Sequence, residues 1–284
     1  MSSKNILITG ADGQLGMALR SQYAEARFAS KEELDITDPS ALEAHDWKGV
    51  DTIINAAAYT KVDEAETPEG RVAAWRVNAA GVQNLARIAL EHSLTLVHIS
   101  TDYVFDGTRE PHAEDEPLTP LGVYGASKAA GDIAAGLAPQ HYILRTSWVI
   151  GEGKNFVRTM LGLGAKGIAP KVVADQTGRL TFASELARAI DHLLKSRAPY
   201  GTHNASNGGE PASWADITRA IFKEAGFDLK VTDTTTAEYF AGKDGIAPRP
   251  LNSTLDLSKL ERSGFSPRDW REDLSAYIKK ELSL

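Results

Sequence analysis

Asn5-Ile-Leu-Ile-Thr9, followed at once by Gly10-Ala-Asp-Gly13-Gln-Leu-Gly16, decides how this chain reads. An apolar run too short for a helix and closed by glycine is the pattern of a buried strand. Gly10, Gly13 and Gly16 then allow a tight turn into a helix over 14–24. In that order, strand, glycine turn and helix bring bare backbone N–H groups to a helix N-terminus, where a pyrophosphate is held well. The stretch therefore reads as a dinucleotide clasp. The plainer alternative is a turn whose glycines serve only to pack helix on strand.

Outward from the clasp, short apolar runs at 52–55, 95–100 and 142–145 repeat the strand pattern, and amphipathic stretches at 39–46, 69–92 and 124–137 separate them. Asp38-Pro39 and Thr67-Pro68 supply a capping side chain followed by proline at the first helical position. Alternation of this kind implies parallel strands joined by right-handed crossovers. The expected class is α/β: a doubly wound, Rossmann-like parallel sheet with a smaller C-terminal α/β lobe. Residues 1–150 form the expected dinucleotide-binding domain. Residues 151–284 form mainly a substrate lobe, with helices over 183–195 and 213–225 and a turn at Asn207-Gly-Gly209. The segment 171–195 is one that can return to the main sheet.

The 284 residues are 42% hydrophobic and 24% charged, enough to bury a sizeable core. The absence of cysteine excludes disulfides and thiolate chemistry and suits a cytoplasmic location. A net charge of −7 argues against nucleic-acid polymers as partners. No apolar stretch is long enough for a membrane span or an export signal.

Two further features bear on chemistry. Tyr124 and Lys128 stand one helical turn apart, so an ammonium can lie near a phenol, lower its pKa and reach a cofactor ribose. A second pair, Tyr239 and Lys243, has the same spacing but contains Gly242 and follows no strand. Thr101 falls just past the run 95–100, at the carboxyl end of a central strand where open α/β sheets bind ligands. Its hydroxyl can donate to an oxygen that gains charge as hydride arrives. Ser100 is the neighbouring candidate, although strand alternation turns it to the opposite face. Together these groups suggest hydride transfer with a nicotinamide. Where the second strand should end, Ser30-Lys31 replaces the acid that would accept a ribose hydroxyl. That favours NADPH, with NADH as the alternative; a merely solvated Lys31 is the plain reading.

The G-x-x-G-x-x-G spacing resembles the short-chain dehydrogenase/reductases. Nearly the whole chain resembles one extended branch, the dTDP-4-dehydrorhamnose reductase family. The matching segments are Asn55-Ala-Ala-Ala-Tyr-Thr-Lys-Val-Asp63, Ser100-Thr-Asp-Tyr-Val-Phe105, Tyr124-Gly-Ala-Ser-Lys128, Arg145-Thr-Ser-Trp148, Asn155-Phe-Val157, Asp175-Gln-Thr-Gly178 and Arg249-Pro-Leu-Asn-Ser253.

The resemblance implies Thr101, Tyr124 and Lys128 as the catalytic set. It implies cofactor contacts from Gly10, Asp12, Gly13, Gln14, Leu15, Gly16, Ser30, Lys31, Asp35, Ile36, Ala56, Ala57, Ala58 and Tyr59, joined by Tyr124 and Lys128. Substrate contacts fall to Thr101, Asp102, Trp148, Asn155 and Arg249, with Asn252 and Ser253 beside the nucleotide diphosphate. Trp148 can equally be core and Arg249 a surface charge. The implied reaction is NADPH-dependent reduction of the C4 ketone of dTDP-4-dehydro-L-rhamnose, the last step of dTDP-L-rhamnose biosynthesis.

Rival readings are a nucleotide-sugar epimerase or dehydratase, and a noncatalytic NADP-binding regulatory subunit. The family's metal-linked dimer uses a glutamate where Ala18 stands here, so no metal and a monomer or weak homodimer are expected. Arg179-Leu180-Thr181 also departs from the proline that often precedes the threonine in this family.

Overall fold

A computed structural model describes residues 3–283. Its first five strands are β1 (Ile6–Thr9), β2 (Arg27–Ala29), β3 (Thr52–Asn55), β4 (Thr95–Thr101) and β5 (His141–Thr146). Seven shorter ones follow: β6 (Val149–Ile150), β7 (Lys171–Val173), β8 (Thr177–Gly178), β9 (Thr181–Phe182), β10 (Gly201–Asn204), β11 (Ala212–Ser213) and β12 (Thr232–Thr234). The main sheet is six-stranded and parallel, in the order β2-β1-β3-β4-β5-β10.

The helices are α1 (Gln14–Gln22), α2 (Pro39–Ala44), α3 (Pro68–Trp75), α4 (Val82–Glu91), α5 (Val123–Ala135), α6 (Phe156–Ala165), α7 (Ala183–Ser196), α8 (Trp214–Glu224), α9 (Thr236–Phe240), α10 (Ser258–Arg262) and α11 (Trp270–Leu282). α3 and α4 are continuous through a widened turn, Arg76–Gly81, where the sequence suggested one uninterrupted helix. The expected caps form: Asp38 accepts from Ser40 N–H at 2.9 Å and Thr67 from Gly70 N–H at 3.0 Å.

Strand alternation divides the core between the two faces of the sheet. Ile6, Ile8, Ile54, Val97 and Leu144 meet α1 and α7 through Leu15, Leu19, Leu186, Ile190 and Leu193. Leu7, Ile53, Leu96 and Ile143 meet Leu42, Leu85, Ile88 and Ala135 from α2, α4 and α5. A separate cluster around Val157, Leu161, Phe182, Ile217, Phe222, Trp270 and Ile278 builds the lobe.

The chain does not divide once and for all near residue 150. From the segment 171–195, α7 packs on α1, while β7 pairs with β12 away from the main sheet. β10 then joins the sheet edge beside β5. No helix among the described residues is long and apolar enough to cross a membrane.

Candidate active site

Because β2 and β3 flank β1, the chain leaves β1 toward one side of the sheet and returns on the other, opening a crevice at the carboxyl ends of β1 and β3. The glycine turn sits there. Gly10 has φ +70°, and a Cβ on it would lie 2.5 Å from Ala57 N. Gly13 is different. It is the extended N-cap of α1 with no side-chain cap, and a Cβ there would meet nothing closer than Gly10 O at 3.4 Å. Gly10 is thus needed by the fold, whereas Gly13 keeps the N-terminus of α1 bare. That bare end fits an anionic pyrophosphate.

A cleft of about 330 Å³ continues from Gly10 and Gly13 along Lys31, Asp35, Ile36, Thr37, Ala56, Ala57, Ala58 and Tyr59. Most of the expected cofactor residues therefore share one groove. Five of the residues expected along it do not line it, and one of these, Gly16, packs under the turn, where a Cβ would lie 2.4 Å from Gly10 O. Asp12 is exposed and reaches toward Arg20, 3.8 Å away, and Leu15 is buried in the core. Gln14 turns toward Gly151. Ser30 closes a turn with Glu33, donating its N–H to Oε2 at 2.7 Å and accepting from Glu33 N–H at 3.3 Å. Arg76 escaped the sequence reading, yet its Nε donates to Thr37 Oγ1 at 3.1 Å, so a second cation stands beside the groove.

Thr101 closes β4, and its hydroxyl donates to Asp102 Oδ1 at 2.9 Å while accepting from Tyr103 N–H at 3.2 Å. Tyr124, in the first turn of α5, stands near Thr101, whose hydroxyl pulls its pKa down. Its ring meets Tyr103 edge-on at 5.5 Å. Ser127 donates to Tyr124 O at 2.7 Å. Asn78 donates to Ser127 Oγ at 3.0 Å and also grips the Tyr59 backbone on both sides. Asn78 thus ties the groove to α5; within a long helix pattern nothing singled it out.

The electrostatics differ from the expected pairing of phenol and ammonium. Burial among protein atoms holds Tyr124 well above the usual phenol range. The Thr101 hydroxyl opposes this only in part, and the carboxylates of Asp102 and Asp132 add to the rise. Tyr124 is nevertheless only partly buried. Lys128 is 2% exposed and donates to Ile99 O at 2.5 Å; burial brings its ammonium down to about 8, against the upward pull of Asp132. Asp102, expected at the sugar, is 2% exposed. Burial pushes its carboxyl up to about 6 despite hydrogen bonding from Ser253 and Thr101.

A second cleft, about 430 Å³, is lined by Tyr103, Trp148, Phe156, Trp214, Phe240 and Arg249 among others. Trp148 adopts φ +46° and stacks on Trp214 with ring centroids 3.8 Å apart, which makes a flat apolar wall. Arg249 faces the same cleft, but its Nη2 is forked onto Asp63 at 2.8 and 2.9 Å and its Nη1 donates to Ala247 O at 2.7 Å. Asn155 is committed elsewhere. It caps α6 by accepting from Arg158 N–H at 3.0 Å and donates to Gly151 O and Tyr277 Oη, each at 2.8 Å. Asn155, expected at the sugar, is in this structure the cap of α6. Asn252 binds the Arg109 carbonyl, and Ser253 lies against Asp102.

The decoy pair resolves simply: Lys243 Nζ lies over the exposed Tyr239 ring at 4.2 Å. A cavity of about 760 Å³ at the opposite end of the sheet, beside Thr95, Gln140 and Tyr200, touches none of the groups named above.

Known proteins share this sequence and fold. Residues 4–283 match the family described as RmlD substrate binding domain. The dTDP-4-dehydrorhamnose reductase of Aggregatibacter actinomycetemcomitans is 40% identical over 95% of this chain and 96% of its own length. The crystal structure of a dTDP-4-dehydrorhamnose reductase from Clostridium acetobutylicum superposes with a TM-score of 0.91 at 38% identity, covering 98% of this chain and 99% of that one. The Bacillus anthracis dTDP-4-dehydrorhamnose reductase, solved in complex with NADP, gives 0.88 at 36% identity, covering 97% and 98%. Matched along nearly its whole length in sequence and fold, the chain belongs to the dTDP-4-dehydrorhamnose reductase family of NAD(P)-dependent oxidoreductases.

Proposed function

We propose that the chain reduces the C4 ketone of dTDP-4-dehydro-L-rhamnose, giving dTDP-L-rhamnose, with NADPH as the reductant. The observation that carries this reading is the position of Tyr124 beside Thr101 at the carboxyl end of β4. On one side it is tied through Ser127 and Asn78 to the glycine-lined groove, and on the other it packs on Tyr103 of the aromatic cleft. When bound, the cofactor supplies hydride to the ketone carbon. Tyr124 gives its proton to the oxygen that becomes the alcohol. Thr101 stands beside the phenol, and its hydroxyl, turned away from Asp102 Oδ1, would donate to the same oxygen. Because its pKa is held high, Tyr124 stays protonated until that oxygen becomes basic.

Residues 1–150 would hold the cofactor and 151–284 mainly the sugar nucleotide, with Trp148 as the wall and Arg249 near the diphosphate. Lys31 and Arg76 support NADPH over NADH, since both are cations at the groove. The reading also includes a cytoplasmic location, which the cysteine-free composition suits, and a monomer or weak homodimer. Against a dehydratase, Tyr103 occupies the position where the acid of a Thr-Asp-Glu set would stand, and its ring packs on Tyr124.

The test is nicotinamide absorbance with enzymatically generated dTDP-4-dehydro-L-rhamnose and NADPH or NADH in parallel. Oxidation should depend on the sugar, and Tyr124→Phe should lower turnover by roughly 10²- to 10⁴-fold while NADPH still binds. No oxidation by the wild type with NADPH binding intact would move the reading to an epimerase or a regulatory subunit.

A further inference from the structure

Arg249-Pro-Leu-Asn-Ser253 runs as a strap between the lobe and the loop that follows β4. On the lobe side Thr177 N–H donates to Leu251 O at 2.8 Å, and Ser253 N–H donates to Thr177 O at 2.7 Å. On the other side the strap lies so close that a Cβ on Gly107 would stand 2.7 Å from Leu251 N. His112 bonds across this second contact from a wholly buried position. Its backbone N–H donates to Thr254 O at 2.8 Å, its Nε2 donates to Asn252 O at 3.2 Å, and its Nδ1 faces Glu116 Oε2 at 2.9 Å.

Both ring nitrogens of His112 therefore face oxygens that accept: a carbonyl, and a carboxylate whose other oxygen lies 3.7 Å from Arg109 Nε. A neutral ring with its proton on Nε2 would set a bare Nδ1 lone pair against that carboxylate, so the ring is read as carrying both protons. The Phe105 ring lies parallel to it, with centroids 4.7 Å apart and 3° between planes, and offers a π-face to the cation. Two other charged groups face this place from neighbouring elements. Asp102 stands at the end of β4 within the field of His112, and Arg145 of β5 lies over the same Phe105 ring at 5.1 Å. The carboxylates of Glu114 and Asp256 are turned elsewhere, to the N–H groups of Asn204 and Ser258.

We propose that His112 is a positioning residue for the sugar nucleotide: as an imidazolium paired with Glu116 it pins the Asn252 carbonyl, and with it the strap that carries Arg249 to the aromatic cleft. Arg249 stands three residues before the pinned carbonyl, and Asp63 holds its guanidinium at the far end. His112 lines neither the glycine groove nor the aromatic cleft, so it acts on them only through the strap. Its effect therefore falls on the sugar nucleotide and spares the dinucleotide. The inference rests on the function proposed above, in which Arg249 stands near the diphosphate.

The test compares wild type with His112→Phe, which keeps a flat ring beside Phe105 and removes both donors. KM for the ketosugar and Kd for dTDP should rise about tenfold, with kcat changed by less than about threefold and NADPH affinity unaltered. A merely structural role would lower the active fraction, and so kcat, at unchanged KM and Kd; that result overturns the proposal. If His112→Phe folds poorly because Glu116 is left buried and unpaired, His112→Phe/Glu116→Leu removes both charges and should fold while showing the same rise. Unmoved dTDP binding in that double variant also overturns the proposal. Nitrogen NMR of the wild-type imidazole at neutral pH needs no turnover: both ring nitrogens should carry protons, and a bare one would refute the imidazolium. A wild type that binds dTDP without reducing the ketosugar would sink the assigned function, while the change in dTDP affinity between wild type and variants would still decide the role of His112.

Discussion

Replacing Gly10 and Gly13 separately with alanine should break the protein in two different ways. At Gly10 the added methyl has to tolerate φ +70°, a left-handed cost of roughly 1–2 kcal/mol. It also meets Ala57 N at 2.5 Å and Ala56 C at 2.6 Å, backbone atoms that cannot rotate away, and overpacking of this kind costs about 1–3 kcal/mol more. The sum, about 2–5 kcal/mol, is a large part of the roughly 5–15 kcal/mol that holds a domain together. At Gly13 the backbone is extended and the nearest contact is 3.4 Å, so stability should fall by only about 0.5–1 kcal/mol, the preference for glycine over alanine at an N-cap. The methyl would instead stand over the bare N-terminus of α1. Loss of a single charge-assisted N–H bond to phosphate, about 1.5–3 kcal/mol, weakens NADPH by roughly tenfold to a hundredfold. Urea unfolding followed by circular dichroism and NADPH binding followed by fluorescence separate the two effects. A Gly13→Ala protein that binds NADPH like the wild type would refute the reasoning, as would a Gly10→Ala protein of unchanged unfolding midpoint.

Asp102→Asn should stabilise the fold at neutral pH while slowing reduction. Burial pushes the folded carboxyl up to about 6 from its ordinary 3.8, so the native state binds its proton more tightly than the unfolded chain. This contribution is complete below the unfolded value and is lost as pH rises through 6, up to about 3 kcal/mol. Unfolding midpoints taken between pH 4 and 7 should diverge for wild type and variant as pH rises, and parallel curves would contradict the burial argument. Lys31→Ala and Arg76→Ala should each weaken NADPH binding several-fold and leave NADH unchanged, because only the former carries a 2′-phosphate. Equal losses for both cofactors in a binding titration would remove these cations from the selectivity.

Much of the fold could be read locally. β1, β3, β4 and β5 are buried on both faces and so are written as short apolar runs. Helix starts at Asp38 and Thr67 carry their capping chemistry in adjacent residues. β10 could not be read that way: Gly-Thr-His-Asn has no apolar pattern. The donors of its buried Asn204 are paired from afar, Glu114 accepting from its N–H at 3.0 Å and the His112 carbonyl from its Nδ2 at 2.9 Å. The site divides similarly. Gly10, Tyr124 and Thr101 announce themselves by their place in a strand–turn–helix pattern. The grip of Asp63 on Arg249 joins residues far apart in the chain, and the role of Asn155 depends on Tyr277 from the last helix. Pairings at such separation leave no periodic trace, and that is why the roles of Arg249 and Asn155 were read from residue type and resemblance alone.

The return of α7 and β10 to the main sheet bears on how this protein can be taken apart. A fragment ending near residue 150 would lack the partners of Leu15, Leu19 and Ile8, which Leu186, Ile190 and Leu193 otherwise cover, and would leave the β5 edge unpaired. Residues 1–150 are therefore not a transferable cassette. Chimeras that exchange sugar specificity with a relative must cut at several crossings, leaving residues 183–205 with the dinucleotide clasp and replacing only the segments between those returns.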